Sequence, residues 1–164
     1  MSGRTARISV QPNPEDLQAT PSPDDKEVVD LDITAEAQVK HTESKEKVAQ
    51  AISKLFPRGG ELRFEDDRVV FISSSLSSLQ HLKDQFRDRR VRSAARRLLL
   101  SNQEENALQT TLLLNKQAAT AGIGALCDDP RESTLGPIVL RIRSEQLLAV
   151  IDWMTQGYDK VERS

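Results

Sequence analysis

The feature that most constrains this chain is a strict alternation of apolar and polar residues between positions 31 and 40. In the segment LDITAEAQVK every odd position from Leu31 to Val39 is apolar, and every even position is polar. A period of two places successive side chains on opposite faces of a β-strand, so one face is buried and the other is solvated. The chain must therefore build a sheet with one apolar face, and other elements must cover that face.

Further segments supply the rest of the sheet and its cover. Strand-like patterns occupy 61–65, 68–72, 108–114 and 137–143, with room for one more short strand between the last two. A helix is predicted over 41–57, with Thr42 or Ser44 as its N-cap and Pro57 as its end.

Two more helical regions follow the first one. Serines 73–75 precede a helical region that runs to about Leu100, and its two apolar stripes lie on different faces. That mismatch predicts two helices, or one helix bent near 87–90. Ser144 is the predicted cap of a final amphipathic helix. The order β-α-β-β-α-α-β-(β)-β-α lacks a regular βαβ alternation, which predicts a single α+β domain whose antiparallel or mixed sheet has helices packed on one face.

The N-terminal segment differs in composition from the rest of the chain. Residues 1–29 contain four of the seven prolines and few large apolar groups, which predicts a flexible proline-rich tail. The alternative is that RISV within it pairs as a short edge strand. The remainder is predicted to form one domain over 30–158 and a short C-terminal tail over 159–164. Residues 1–30 hold three basic and six acidic side chains, so the other 134 residues, with twenty basic and nineteen acidic, are nearly neutral.

The sequence also bears on the compartment. No apolar stretch is long enough to span a bilayer, and the N-terminus lacks the apolar core of a secretory signal. A single cysteine, Cys127, rules out an intrachain disulfide and is typical of a reducing compartment. We therefore expect a cytoplasmic protein without a membrane partner.

The segment LNKQAATAG, residues 114–122, resembles a phosphate-binding loop only superficially. In such a loop the glycines precede a lysine and a hydroxyl residue, whereas here Lys116 precedes Gly122 and Gly124. The preferred interpretation is a strand end that leads into a short turn or helix of small residues.

The sequence gives little support for a catalytic or a metal site. Asp128 and Asp129 beside Cys127 would raise the pKa of its thiol, which is the wrong direction for a nucleophile. The two histidines, His41 and His81, belong to different elements, and no zinc or calcium motif occurs. We therefore expect no catalytic residue, no metal site and no cofactor, and predict that the protein is not an enzyme.

A basic helical segment is the best functional signal. Residues 82–97 carry seven basic and two acidic side chains, a net charge of +5. On a helical wheel Arg89, Arg92 and Arg96 cluster together, and a row of guanidinium groups suits a phosphate backbone. The alternative is that these arginines only keep the helix soluble. A second candidate basic patch comprises Lys116, Arg141 and Arg143, and Gln117 beside Lys116 is a further candidate contact to RNA.

Several stretches together resemble an archaeal family, the uncharacterised protein family 0201. They are LNKQAATAG, STLGPIVLRI and IDWM, with the helices KVAQAISKLFP and RDRRVRSAARRLLL in matching order. The resemblance covers about residues 30–156. The resemblance implies that this chain, like the proteins of that family, is predicted to bind RNA or to associate with the exosome. It also implies a fold like that of the large-subunit ribosomal protein that carries the small ribosomal RNA. It implies no catalytic residues.

The leading hypothesis is a non-catalytic archaeal module that binds RNA by backbone charge and shape. Its expected partners are RNA and a protein complex of RNA processing. The alternative is a protein-interaction or scaffold subunit, including a homodimer, with no nucleic-acid ligand.

Overall fold

The computed structural model describes residues 30–129, 131 and 135–156. The predicted tails 1–29 and 159–164, and the alternative edge strand RISV, lie outside the described residues. The domain predicted over 30–158 is thus described as far as Gln156, apart from residue 130 and residues 132–134.

The described elements follow the predicted order, with two short additions. They are β1 (Asp32–Gln38), α1 (Lys45–Leu55), β2 (Gly60–Glu65), β3 (Arg68–Ser73), a 3₁₀ turn (Leu76–Leu79), α2 (Gln80–Asp88), α3 (Arg92–Ser101), β4 (Gln109–Asn115), α4 (Lys116–Ala119), β5 (Leu126–Cys127), β6 (Pro137–Arg143) and α5 (Leu147–Met154). The additions to that order are the 3₁₀ turn and the single-turn helix α4, and α4 confirms the short helix predicted after the strand end in LNKQAATAG. The helical region after the serines consists of two helices, as one of the two predictions had it.

The strands form one six-stranded sheet in the order β2-β3-β1-β6-β4-β5. Every pair of neighbours is antiparallel. The predicted α+β class is therefore confirmed, and the sheet is antiparallel rather than mixed. Strand β1 lies near the middle, where Ala35 stands opposite Phe71 of β3 and Leu140 of β6.

Burial alternates along the central strands. In β1 the side chains of Ile33, Ala35 and Ala37 are buried, while the intervening polar residues are half-buried or exposed. Strands β6 and β4 repeat this pattern, and their inward residues join the same core as the apolar faces of the helices. The described helices thus cover one face of the sheet, and no described helix lies on the other, which we call the helix-free face.

The N-cap of α1 is Ser44 rather than Thr42. The Ser44 hydroxyl accepts a hydrogen bond from the Lys47 N–H at 3.1 Å, which satisfies one of the free donors of the first helical turn. The predicted cap of α5, Ser144, instead accepts from the N–H of Gln146, and the helix begins at Leu147.

The two glycines after α4 have different structural roles. Gly122 has a φ of +78°, a left-handed conformation that favours glycine after a helix. At Gly124 a β-carbon would lie 2.6 Å from Cδ2 of Leu82, because α2 packs directly against this segment. Gln85 of α2 also accepts a hydrogen bond from the Gly124 N–H. Gly124 is therefore required by close packing, and Gly122 by its left-handed backbone conformation.

We predict that Gly124→Ala destabilises the fold. Leu82 is fully buried and has no solvent to move into, so the added methyl group overpacks the contact, at a cost of about 1–3 kcal/mol. Urea denaturation measures the free energy of unfolding. Ala121→Ser, at an exposed position of the same segment, is the control and should change it by less than about 0.5 kcal/mol. Equal stabilities of both variants would contradict the close contact.

Candidate functional site

The basic segment folds into a sharp corner between α2 and α3. The N–H of Val91 donates to the carbonyl of Phe86 at 2.9 Å, and the N–H of Arg90 donates to the carbonyl of Arg87 at 3.2 Å. These two bonds are the Schellman pattern that ends many helices, with its left-handed position occupied by Arg90 at a φ of +59°. Glycine is usual there, and a residue with a β-carbon costs about 1–2 kcal/mol. The chain therefore holds an arginine where local energetics favour glycine.

Some of the arginines in this segment are neutralised. Arg87 contacts Asp84 at 3.5 Å and Asp88 at 3.1 Å, and Arg96 contacts Asp152 of α5 at 2.6 Å. The sequence charge of the segment therefore overstates the charge it presents to a ligand.

The remaining arginines differ in their freedom. Arg92 donates from Nη1 to the carbonyl of Gln156 at 3.0 Å, so both Arg92 and Arg96 tie α3 to the end of α5. Arg89 and Arg90 are exposed, and neither forms an ion pair with any described residue. We call Arg89 and Arg90 the basic corner.

The structure thus separates the three arginines that the helical wheel groups together. Arg89 lies at the end of α2, whereas Arg92 and Arg96 lie on α3 against α5. Sequence reasoning missed Arg90, because a helical wheel assigns no direction to a residue that leaves the helix. The break between the two apolar stripes was the signal that could have found it.

A groove adjoins the basic corner and separates α3 from the edge strand β5. Its volume is about 390 Å³, and it is lined by Arg89, Val91, Ala94, Arg97, Leu98, Ala125, Leu126 and Asp128. We call it the α3–β5 groove. Its wall is mainly apolar, and its charged groups are two arginines and one aspartate. Arg97 Nη2 lies 3.9 Å from Asp128 Oδ1 across it, which is a weak, exposed ion pair.

Lys116 lies in the interior. Its side chain is 3% exposed, and Nζ donates to the carbonyls of Gln38 at 2.7 Å and Leu135 at 2.6 Å and to the carboxylate of Glu43 at 3.0 Å. These three acceptors use the three hydrogens of the ammonium group. Lys116 therefore joins β1, the loop before α1 and the segment before β6. Its neighbour Gln117 is exposed.

Arg141 and Arg143 lie on the helix-free face of the sheet. Arg141 Nη1 is 3.4 Å from Glu36, and Arg143 Nη1 is 3.1 Å from Asp32. Arg143 stands at the opposite end of β6 from Pro137, which pairs with Asn115 next to Lys116. Six residues of strand span about 20 Å, so the structure does not bring Lys116 together with Arg143.

The helix-free face has no net charge along its strands. The pairing register places four basic and four acidic residues there: Arg63, Arg68, Arg141, Arg143, Asp32, Glu36, Glu61 and Glu65. The hydrogen bond from Arg68 to Glu65, with the nearby charge of Glu36, raises the pKa of Arg68 above its ordinary value. A face that pairs its own charges exerts little attraction on a polyanion.

The candidates for chemistry each have their own local surroundings in the structure. Cys127 is buried in β5, and the hydrogen bonds from Arg131 hold the pKa of the Asp129 carboxyl below its usual range. His81 Nε2 lies 3.0 Å from the carbonyl of Gly122. Within the described part no three His, Cys, Asp or Glu side chains are placed to share a metal ion. None of the helices in that part is both long and apolar enough to cross a membrane.

Comparison with known proteins gives one consistent family. Residues 32–144 match the model of a family described as RNA binding. The chain is 37% identical to the UPF0201 protein of Sulfurisphaera tokodaii over 75% of this chain and 86% of that protein. It is 34% identical to the UPF0201 protein of Methanothermobacter thermautotrophicus over 74% and 89% of the two chains.

A solved structure is similar as well. The crystal structure of the UPF0201 protein from Methanococcus jannaschii superimposes with a TM-score of 0.64, at 29% sequence identity. The match covers 76% of this chain and 92% of that chain.

We predict that Lys116→Met lowers the free energy of unfolding by about 3–5 kcal/mol. Without the ammonium group the mostly buried Glu43 carboxylate loses its cation and keeps the N–H of Lys40, while two carbonyls lose a donor, which is the costly way to break a buried ion pair. Thermal and urea denaturation measure the change. Gln117→Ala, one residue away and exposed, is the control and should cost less than about 0.5 kcal/mol. A stability loss below 1 kcal/mol for Lys116→Met would contradict the assigned network.

Proposed function

The chain belongs to the UPF0201 family of archaeal proteins, and we propose that it acts in the cytoplasm as a non-catalytic RNA-binding module. The family model's description, RNA binding, supports the class of ligand. The observation that carries the proposal on this chain is the basic corner, where two exposed arginines form no ion pair with a described residue.

The strained backbone of the corner adds support. Arg90 occupies a left-handed position at which glycine would relieve about 1–2 kcal/mol. Strained residues that persist in a fold often serve a functional site. The turn directs the chain out of α2 at the point where both arginines are exposed. A guanidinium group there is available for a phosphate oxygen.

The mode of binding follows from what surrounds the corner. A planar guanidinium group matches a phosphate with two parallel hydrogen bonds, and such contacts carry no sequence information. The helix-free face is charge-balanced, so the basic corner is the favoured point of attachment. Arg92 and Arg96 contribute by holding α3 in position against α5. We therefore propose recognition by backbone charge and shape. A place in an RNA-processing complex stays a prediction.

We predict that Arg89→Ala combined with Arg90→Ala weakens RNA binding and flattens its salt dependence. Each lost phosphate contact removes about 0.7–0.9 from the slope of log K against log salt concentration, so the double variant should lose about 1.4–1.8. Fluorescence anisotropy with a labelled hairpin RNA, between 50 and 200 mM salt (a range on the order of that used for such slopes), measures both.

The control for this prediction is Arg63→Ala. Arg63 is an exposed arginine on β2, at the opposite edge of the sheet from β5, and its loss should leave the slope unchanged. Equal slopes for the control and the double variant would contradict the assignment of the corner. Absence of binding at low salt, to hairpin and single-stranded RNA alike, would contradict the proposed function and leave interaction with protein, including a second copy of the chain, as the alternative.

We further predict that Arg90→Gly separates stability from binding. Glycine adopts the left-handed conformation without strain, so the variant should be more stable by about 1 kcal/mol, while its RNA affinity falls because a guanidinium is lost. Arg90→Lys keeps the charge and should retain most of the affinity. Denaturation and anisotropy on the same preparations test both effects. A more stable Arg90→Gly variant with undiminished affinity would remove Arg90 from the binding surface.

A further inference from the structure

We propose that the α3–β5 groove holds the base of one unpaired nucleotide, so that the favoured RNA is a helix with a bulged residue. The inference rests on the proposed RNA binding and names the class of RNA. The groove shares Arg89 with the basic corner, so a backbone bound at the corner lies directly beside it.

The size and wall of the groove fit the flat face of a base. Its volume of about 390 Å³ lies in the range of pockets that enclose small ligands. Val91, Ala94 and Leu98 of the helical side stand against Leu126 of β5, and these side chains are buried or half-buried. Covering the exposed face of an unstacked base removes apolar surface from water, which stabilises the base in the α3–β5 groove. A base that remains stacked in a helix exposes no face to the groove.

The charges of the groove fit the two ends of a nucleotide. Arg89 and Arg97 supply guanidinium groups for the phosphates on either side of the base. The Asp128 carboxylate, 3.9 Å from Arg97, supplies acceptors for base N–H groups. In paired RNA the N–H groups of the Watson–Crick edge are already used by the opposite strand, so only an unpaired base can present that edge to Asp128.

The geometry of RNA helices argues in the same direction. The major groove of A-form RNA is too narrow and deep for side chains to reach base edges. A protein that binds through the basic corner therefore contacts little of a fully paired helix other than its phosphates. A bulge instead presents one base outside the helix, flanked by phosphates at the spacing of a continuous backbone. The corner and the groove together match that combination of charge and apolar surface.

The test compares three hairpins that differ at one position: fully paired, with one bulged nucleotide, and with the same bulge lacking its base. We expect the bulged hairpin to bind the full-length protein about tenfold more tightly than the paired one at equal salt, and the abasic bulge to bind like the paired one. The abasic hairpin distinguishes the base from the added flexibility of the helix.

Two variants place the effect in the groove. Ala94→Phe fills the α3–β5 groove and should abolish the tenfold preference for the bulged hairpin. The slope of log K against log salt concentration should stay unchanged. Ala149→Phe, at an exposed position of α5, is the matched control. Asp128→Asn keeps the shape of the side chain and should reduce the preference several-fold. Because Asn is isosteric with Asp, that variant keeps the test valid if Ala94→Phe does not fold.

The outcomes separate the two proposals. Equal affinities for the three hairpins, with a steep salt slope, would overturn the nucleotide groove and leave the proposed RNA binding intact. Equal affinities for the bulged and abasic hairpins, both above the paired one, would also overturn it, because flexibility alone would explain the preference. Absence of binding to all three hairpins at low salt would overturn both.

Discussion

The structure depends on the one-sided burial of its antiparallel sheet. The inward side chains of β1, β6 and β4 are almost fully excluded from water, and the helices that cover them are held by the same apolar contacts. Burial of this apolar surface is the dominant favourable term in folding, so the polar residues of each strand must point the other way. Since that outer face pairs its own charges, the two adjoining exposed arginines without an ion pair to a described residue, Arg89 and Arg90, lie on the helical side.

The basic corner is a consequence of how α2 and α3 share the core. Leu82 and Phe86 anchor α2, while Ala95, Leu98 and Leu99 anchor α3, and a single straight helix cannot bury both sets. The chain therefore leaves α2 through a left-handed residue and starts again. Packing against the sheet stabilises that turn despite the arginine at Arg90, because local strain of 1–2 kcal/mol (about the cost of one left-handed residue) is small beside the burial of two helices.

Residue type and local motif alone did not predict which charged side chains are buried or paired. Lys116 belongs to the motif LNKQAATAG and was a candidate ligand contact, yet its ammonium group is buried among Gln38, Glu43 and Leu135. Those partners come from three separate parts of the chain, so no local pattern in the sequence could predict them. Arg96 behaves in the same way, because its partner Asp152 lies 56 residues further along. Conversely, the role proposed for Arg90 depends on its positive φ angle, which a helical wheel does not represent.

The sequence by itself determined the class of the fold, the order of its strands and helices, and the break between two helical stripes. Periodicity is a local property, and each of these features follows from it. The sequence also carried the family resemblance, which the comparisons confirm, whereas the likeness to a ribosomal protein stays a prediction. Tertiary structure alone decided that the six described strands are all antiparallel, which cations are neutralised, and which arginines remain exposed beside a groove. Those properties depend on distances between residues far apart in the chain, and such distances exist only once the core has closed.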